Sequence, residues 1–250
     1  MLDTVDHGAV REIRLARPPA NALNPPLVEA LERALAEAET AAQAIVISGL
    51  PGMFSAGLDV PELLQLDRDP LSRFWQSFTR LLKRIAMSPL PTVFAMTGHA
   101  PAGGIVMAVF GDYRIMPRGS FKTGMNEVQV GLVVPPPVQL ALVRLIGAHR
   151  AERILVAGEI MDAQRALEIG LVDELADDPA AVVRRAVDWC DQLLALPRPA
   201  MLKTRSMSRS DLQRIFENSS EYGVERFVET WFSESAQTTL RALVERLRKK

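Results

Sequence analysis

The chain has 250 residues, 48% hydrophobic and 24% charged, with a formal net charge of −1, enough for one large or two small domains whose core needs no staple. The balanced charge leaves no basic footprint for nucleic acid, and three His with a single Cys exclude a zinc framework and a disulfide scaffold. The acidic start carries no apolar leader and the longest apolar stretch, around Ile105–Phe110, is too short for a bilayer, so a soluble intracellular protein without metal or membrane partner is expected.

In chain order, Ile13 and Leu15 alternate with Arg14 and predict a short strand ending at Arg17. Residues 18–24 are loop chemistry, and Asn24 is placed to cap a helix whose first turn holds Pro25 and Pro26. Leu27, Leu31, Ala34, Leu35 and Ala38 form its apolar stripe, with Glu29 and Arg33 spaced to pair on the outside. Buried strands are predicted over Ala44–Ile47, over Thr92–Thr97 with a stop at Gly98, and over Tyr113–Met116. From Pro135 onward strand signals fade. Helical periods run over 138–146, 151–156, 162–169, 179–196 and 212–247, the last with a break near Trp231. The reading is α/β in the first half and mostly helical in the second.

Two turns are unusual for a chain that only needs to fold. Gly52-Met53-Phe54-Ser55-Ala56-Gly57-Leu58-Asp59 follows the Ile45–Ile47 strand, and its small residues let backbone approach a ligand. It equally fits an ordinary strand-to-helix turn with Asp59 as the helix-start acid. Gly98-His99-Ala100-Pro101-Ala102-Gly103-Gly104 follows the next strand, and either offers amides to a site or packs helix on strand. One amide from each turn on the same oxygen would make a backbone oxyanion hole. Ser55 lacks the glycine of a nucleophile elbow because position 53 is Met. His7, His99 and His149 have no companion pattern, and Cys190, beside Trp189, reads as core. Glu127 is the remaining proton carrier. It lies among Met125, Val128, Val130, Leu132 and Val133, where it is either desolvated and basic or a solvated loop residue.

Together these segments resemble the crotonase (enoyl-CoA hydratase/isomerase) superfamily over nearly the whole chain. The resemblance rests on Arg17-Pro18-Pro19-Ala20-Asn21-Ala22-Leu23, on Phe54-Ser55-Ala56-Gly57-Leu58-Asp59, on Ala100-x-Ala102-Gly103-Gly104, and on Gly158-Glu159 with Gly170-Leu171-Val172-Asp173. It implies a ββα spiral core over residues 1–195 and a C-terminal helical trimerisation region over 196–250. It implies acyl-CoA thioesters as substrates, with no separate cofactor because CoA arrives on the substrate, and a homotrimer or hexamer in the cytoplasm or a mitochondrial matrix. By position, Leu58 and Gly103 would supply the oxyanion amides. Ala20 and the stretch Ala56, Gly57, Leu58, Asp59 and Val60 would hold the substrate.

Family hydratases are similar but carry a glutamate shortly after the second glycine turn, where this chain has Val106, in addition to one at the position of Glu127. One carboxylate shuttling a proton is the pattern of the mitochondrial-type Δ3,Δ2-enoyl-CoA isomerases of β-oxidation, which the local sequence also resembles. Glu127, Leu58 and Gly103 are therefore the expected catalytic groups. The rivals are a hydratase, or another crotonase-type reaction, and an RNA-binding member of the fold. The last would need surfaces such as Arg144, Arg150 and Arg153, or Arg241, Arg246, Arg248, Lys249 and Lys250. The prolines of Val133-Val134-Pro135-Pro136-Pro137 are expected to reshape the pocket beside Glu127, and residues near Phe227 or Trp231 to close it.

Overall fold

A computed structural model describes residues 1–217 and 223–248. The chain opens with a hairpin of β1 (Leu2–His7) and β2 (Val10–Leu15), followed by α1 (Pro25–Ala41). Three units then repeat one pattern. In each, a first strand enters a large sheet, a second short strand enters a small one, and the chain turns into helix. The first unit is β3 (Ala44–Ser48), β4 (Gly52–Met53), α2 (Val60–Leu63) and α3 (Arg68–Met87). The second is β5 (Thr92–Ala95), β6 (Gly98–Pro101) and α4 (Gly103–Ala108). The third is β7 (Tyr113–Pro117), β8 (Lys122–Gly124), a 3₁₀ turn at Glu127–Val130, α5 (Pro136–Ile146) and α6 (Ala148–Ala157). After β9 (Ile160–Asp162), α7 (Ala163–Glu168) and β10 (Glu174–Ala176) come the helices α8 (Pro179–Leu194), α9 (Arg198–Ser208), α10 (Ser210–Glu217), α11 (Val224–Trp231) and α12 (Glu234–Arg248).

The large sheet runs β1-β2-β3-β5-β7-β10 and is parallel beyond the hairpin, and the small sheet runs β4-β6-β8-β9. Successive strands advance through both sheets together, which is the expected spiral. Strand alternation sends Ile45, Ile47 and Phe94 into the main core and Ala44, Val46, Val93 and Ala95 onto α8. Asn24 caps α1 as expected, its carboxamide oxygen accepting Leu27 N–H at 3.1 Å. Burying Leu27, Leu31 and Leu35 contributes roughly 1.5–3 kcal/mol each.

Several expectations need correction. The strand expected over Thr92–Thr97 ends at Ala95, and Gly98 starts the next strand, β6, instead of only ending the previous one. A Cβ there would sit 1.9 Å from Gly52 C, so only glycine lets β6 lie against β4. The pairing of Glu29 with Arg33 does not form among the described residues. Glu32 and Glu39 instead reach Arg80 and Arg84 across the α1–α3 seam, where shared packing holds the partners in place. The second half is not strand-free, since β9 and β10 close the two sheets with three residues each. The hairpin partner β1 and the 20-residue α3 were not anticipated at all. Within the helical stretch expected over 212–247, residues 218–222 lie outside the described residues. Side chains of α10, α11 and α12 join the same hydrophobic cluster as the sheets.

That attachment has a charged anchor. Arg209 is 8% exposed and donates to the carbonyls of Ala86, Phe110 and Gly111 and to Asp112. Arg205 grips the same carboxylate at 2.9 and 2.8 Å.

Candidate active site

The two glycine turns meet. Fully buried Asn21 fastens the first, accepting Arg17 N–H at 2.8 Å and donating to Phe54 O at 2.9 Å. Ser55 is equally buried; its hydroxyl donates to Asn21 O at 2.8 Å and accepts Gly57 N–H at 3.2 Å. It shapes the turn and is no nucleophile. A parallel bridge joins Leu23 to Leu58, with Leu23 N–H on Gly57 O at 2.8 Å and Asp59 N–H on Leu23 O at 3.0 Å. Peptide groups alternate along an extended strand, so Leu58 N–H turns away from the bridge. Among the described residues nothing accepts it.

In the second turn Ala102 adopts φ 48° and ψ −124°, a region L-residues avoid at a cost of about 1–3 kcal/mol. Its N–H donates to Gly124 O at 2.8 Å. The bend makes Gly103 the first residue of α4, where an amide has no intrahelical acceptor. A Cβ on Gly57, at φ +86°, would lie 2.8 Å from Gly103 N, and a Cβ on Gly103 would lie 3.3 Å from Leu58 N. The glycines are thus required by close approach, and two unpaired amides lie side by side.

Glu127 opens the 3₁₀ turn. The turn is clamped by Gln129, which donates to Gly158 O at 2.8 Å, and by α12, whose Ala236 would touch a Cβ on Gly131 at 3.0 Å. The residue is partly exposed as a whole, yet its Oε2 is sealed from solvent without a hydrogen-bond partner. Burial pushes its carboxyl from 4.5 up to about 7, with no cation opposing the shift. Of the two readings open to the sequence, the desolvated carboxyl is the one observed.

A cavity of 450 Å³ joins these groups. Ala20, Ala56, Leu58, Asp59, Val60, Gly103 and Glu127 all line it, as does Val106. Gly57 does not; it acts one layer behind, by letting the turns touch. Asp59 proves to be both lining and helix cap, its Oδ1 accepting Glu62 N–H at 3.1 Å and its Oδ2 pairing with Arg17 at 2.7 Å. Val133 and Pro135 of the proline segment and the adjacent Val138 contribute wall, and so does Phe227, while Trp231 packs behind Phe227 with ring centroids 5.8 Å apart. Trp75, Phe78 and Leu82 of α3 and Leu243 and Leu247 of α12 were missed. The Phe74–Ile85 periodicity would have revealed α3 as a helix, but not which face meets the cavity.

A larger hollow of 970 Å³ near the hairpin and α8 holds the fully buried Glu12. Its oxygens are taken by His7, Arg14 and Ser48, so it presents no free acid or base. His99 accepts Lys122 N–H at 3.0 Å, and burial raises the Cys190 thiol to about 12, which fits its reading as core. Arg144 is held by Asp211 and Ser208 O. Lys249 and Lys250 lie outside the described residues. Among the described residues no three His, Cys, Asp or Glu side chains are grouped to hold a metal, and no helix is long and apolar enough to cross a membrane.

Comparison with known proteins supplies the family. Residues 6–250 match the profile of the Enoyl-CoA hydratase/isomerase family. The mitochondrial enoyl-CoA delta isomerase 1 of Homo sapiens is 32% identical over 97% of this chain and 82% of its own length. A probable enoyl-CoA hydratase of Mycobacterium avium is 31% identical over 77% of this chain and 75% of its own length. The crystal structure of the human mitochondrial Δ3,Δ2-enoyl-CoA isomerase superposes with a TM-score of 0.93 at 29% identity, covering 99% of this chain and 98% of that one. An enoyl-CoA hydratase/isomerase from Mycobacterium paratuberculosis reaches 0.87 at 28% identity, covering 96% and 97%. With the two-sheet spiral and the paired glycine turns, these matches establish that the chain has the crotonase fold and belongs to the enoyl-CoA hydratase/isomerase family.

Proposed function

We propose that the protein shifts the double bond of a 3-enoyl-CoA to give the trans-2-enoyl-CoA, as a step of fatty acid β-oxidation. The observation that carries this reading is a single available carboxyl, Glu127, sealed in an apolar cavity beside two unpaired amides. The thioester oxygen accepts from Leu58 N–H and Gly103 N–H. Ionised Glu127 takes a proton from C2, and the electron pair left behind is shared with the thioester oxygen through C1 and with C4 through the C3–C4 double bond, as a dienolate. The amides stabilise the new charge in a site of low dielectric. Protonated Glu127 then gives the proton to C4 while the C2–C3 double bond forms, so composition is unchanged. A pKa near 7 suits a group that must both take and return a proton.

The second reading is hydration, favoured by the likeness to probable hydratases. Water addition is served by a second carboxylate, and Val106 stands where the family resemblance would place one. Asp59 is the other carboxylate of the lining, and both its oxygens are committed to α2 and Arg17. Supplying 3-hexenoyl-CoA and crotonyl-CoA separately discriminates the two. Growth of conjugated-enoyl absorbance from the former, without its loss from the latter, is expected; faster loss from crotonyl-CoA would overturn the isomerase reading. Residues 196–250 are proposed as the assembly surface of a homotrimer or a dimer of trimers, and a monomer by sedimentation equilibrium would contradict that part.

A further inference from the structure

The substrate cavity has a neighbour. A smaller hollow of about 30 Å³ lies beside it, lined by Trp75, Val133, Pro135, Pro136, Arg226, Phe227 and Thr230. Four of those residues, Trp75, Val133, Pro135 and Phe227, also line the main cavity. The groups that carry chemistry, Leu58, Gly103 and Glu127, line only the main one. The shared residues are therefore a partition between the reacting end and a second space, whose other lining residues are Pro136, Arg226 and Thr230. The partition has a distinct build. Trp75 of α3 and Phe227 of α11 stack face to face, centroids 3.5 Å apart and planes 2° from parallel. Phe78 supports Trp75 at 5.6 Å and Trp231 supports Phe227 at 5.8 Å. Both rings are nearly buried, at 7% and 9%, whereas Val133, which lines both spaces with them, is 59% exposed.

Resting on the acyl-CoA reading above, we propose that the Trp75–Phe227 stack is the end wall of the acyl subsite and sets the longest acyl chain the enzyme takes. An apolar tail growing from the reacting carbons fills the cavity until it meets two rings braced from both sides, which no rotamer change clears cheaply in a packed interior. The second hollow is also lined by the half-exposed Val133 and by Pro135 and Pro136, so opening the stack would join the two spaces and give a longer tail a way outward. The wall is made by a contact between helices 152 residues apart in sequence (75 and 227), and therefore depends on how α11 docks.

The test measures binding of saturated acyl-CoAs from butanoyl to hexadecanoyl by calorimetry, and needs no turnover. Each methylene buried should tighten binding about fourfold until the chain reaches the wall, after which affinity stops rising or falls. In Trp75→Leu and Phe227→Leu, each normalised to its own butanoyl-CoA value, the break should move to longer chains by about two methylenes, worth about fifteenfold at the longest lengths. Both variants keep an apolar residue there, and circular dichroism checks that they fold. A wild-type profile that climbs unbroken to hexadecanoyl-CoA, or folded variants with the wild-type break, would overturn the proposal. Turnover of 3-hexenoyl-CoA and 3-dodecenoyl-CoA is followed in parallel. Absent turnover with an intact break in binding would count against the isomerase reading alone, and turnover with no break against the wall alone.

Discussion

Glu127→Gln preserves the size of the side chain and removes its ionisation, so it isolates what burying this carboxyl costs. The folded chain holds the proton up to about pH 7, while the unfolded chain releases it near 4.5. Between those values the folded state binds more protons, so stability falls as pH rises through the window and the penalty is complete above it. A shift of about 2.5 units corresponds to roughly 3 kcal/mol, an upper figure because the residue is partly exposed. The glutamine variant should thus match wild type at pH 4 and exceed it by up to about 3 kcal/mol at pH 8. For a chain of this size that is roughly 6–12 °C in Tm. Urea unfolding of both proteins at fixed concentration, every half unit from pH 4 to 8, reads the difference directly. A difference independent of pH, or a variant less stable at pH 8, would refute the claim that Glu127 is an unpaired buried acid.

Other consequences are measurable in the same way. The kcat/KM for isomerisation should fall below about pH 7 as Glu127 protonates in the free enzyme, and a limb near 4.5 would contradict its burial. Gly57→Ala puts a methyl 2.8 Å from Gly103 N and should lower kcat about 10²–10³-fold; unchanged kcat would separate the two amides from catalysis. Arg209→Met leaves three carbonyls and part of Asp112 without their buried donor and should cost about 3–5 kcal/mol, read as the midpoint of urea unfolding. A loss below about 1 kcal/mol would show that Arg205 alone holds the junction.

The glycine turns were readable in the sequence because they are local. Each is a run of small residues after a buried strand, and Gly57 and Gly103 are small for reasons that survive in a single line of letters: anything larger would strike the other turn. What escaped was set by partners far away in the chain. Glu127 looked equally like a solvated loop residue until α12 and Gln129 closed around its turn. Asp59 was both things the sequence allowed, because a helix cap and a cavity wall use different sides of one residue. β9 and β10 are too short to carry a period, and they exist because β8 and β7 offer free edges. The expected Glu29–Arg33 pair does not form among the described residues, and the ion pairs of α1 run instead from Glu32 and Glu39 to α3. The helix α3 was missed despite its evident periodicity; its contribution of Trp75 to the cavity could be read only once α11 was seen against it.

The central claim, that one glutamate moves the proton, meets its most direct test in the Glu127→Gln protein incubated with 3-hexenoyl-CoA. Formation of the conjugated product is followed by absorbance, and hexanoyl-CoA binding by calorimetry. The result expected is isomerisation at the wild-type site, its loss in the variant, and acyl-CoA binding in both. Turnover by the variant at a rate near wild type would place the proton carrier elsewhere and contradict the assignment.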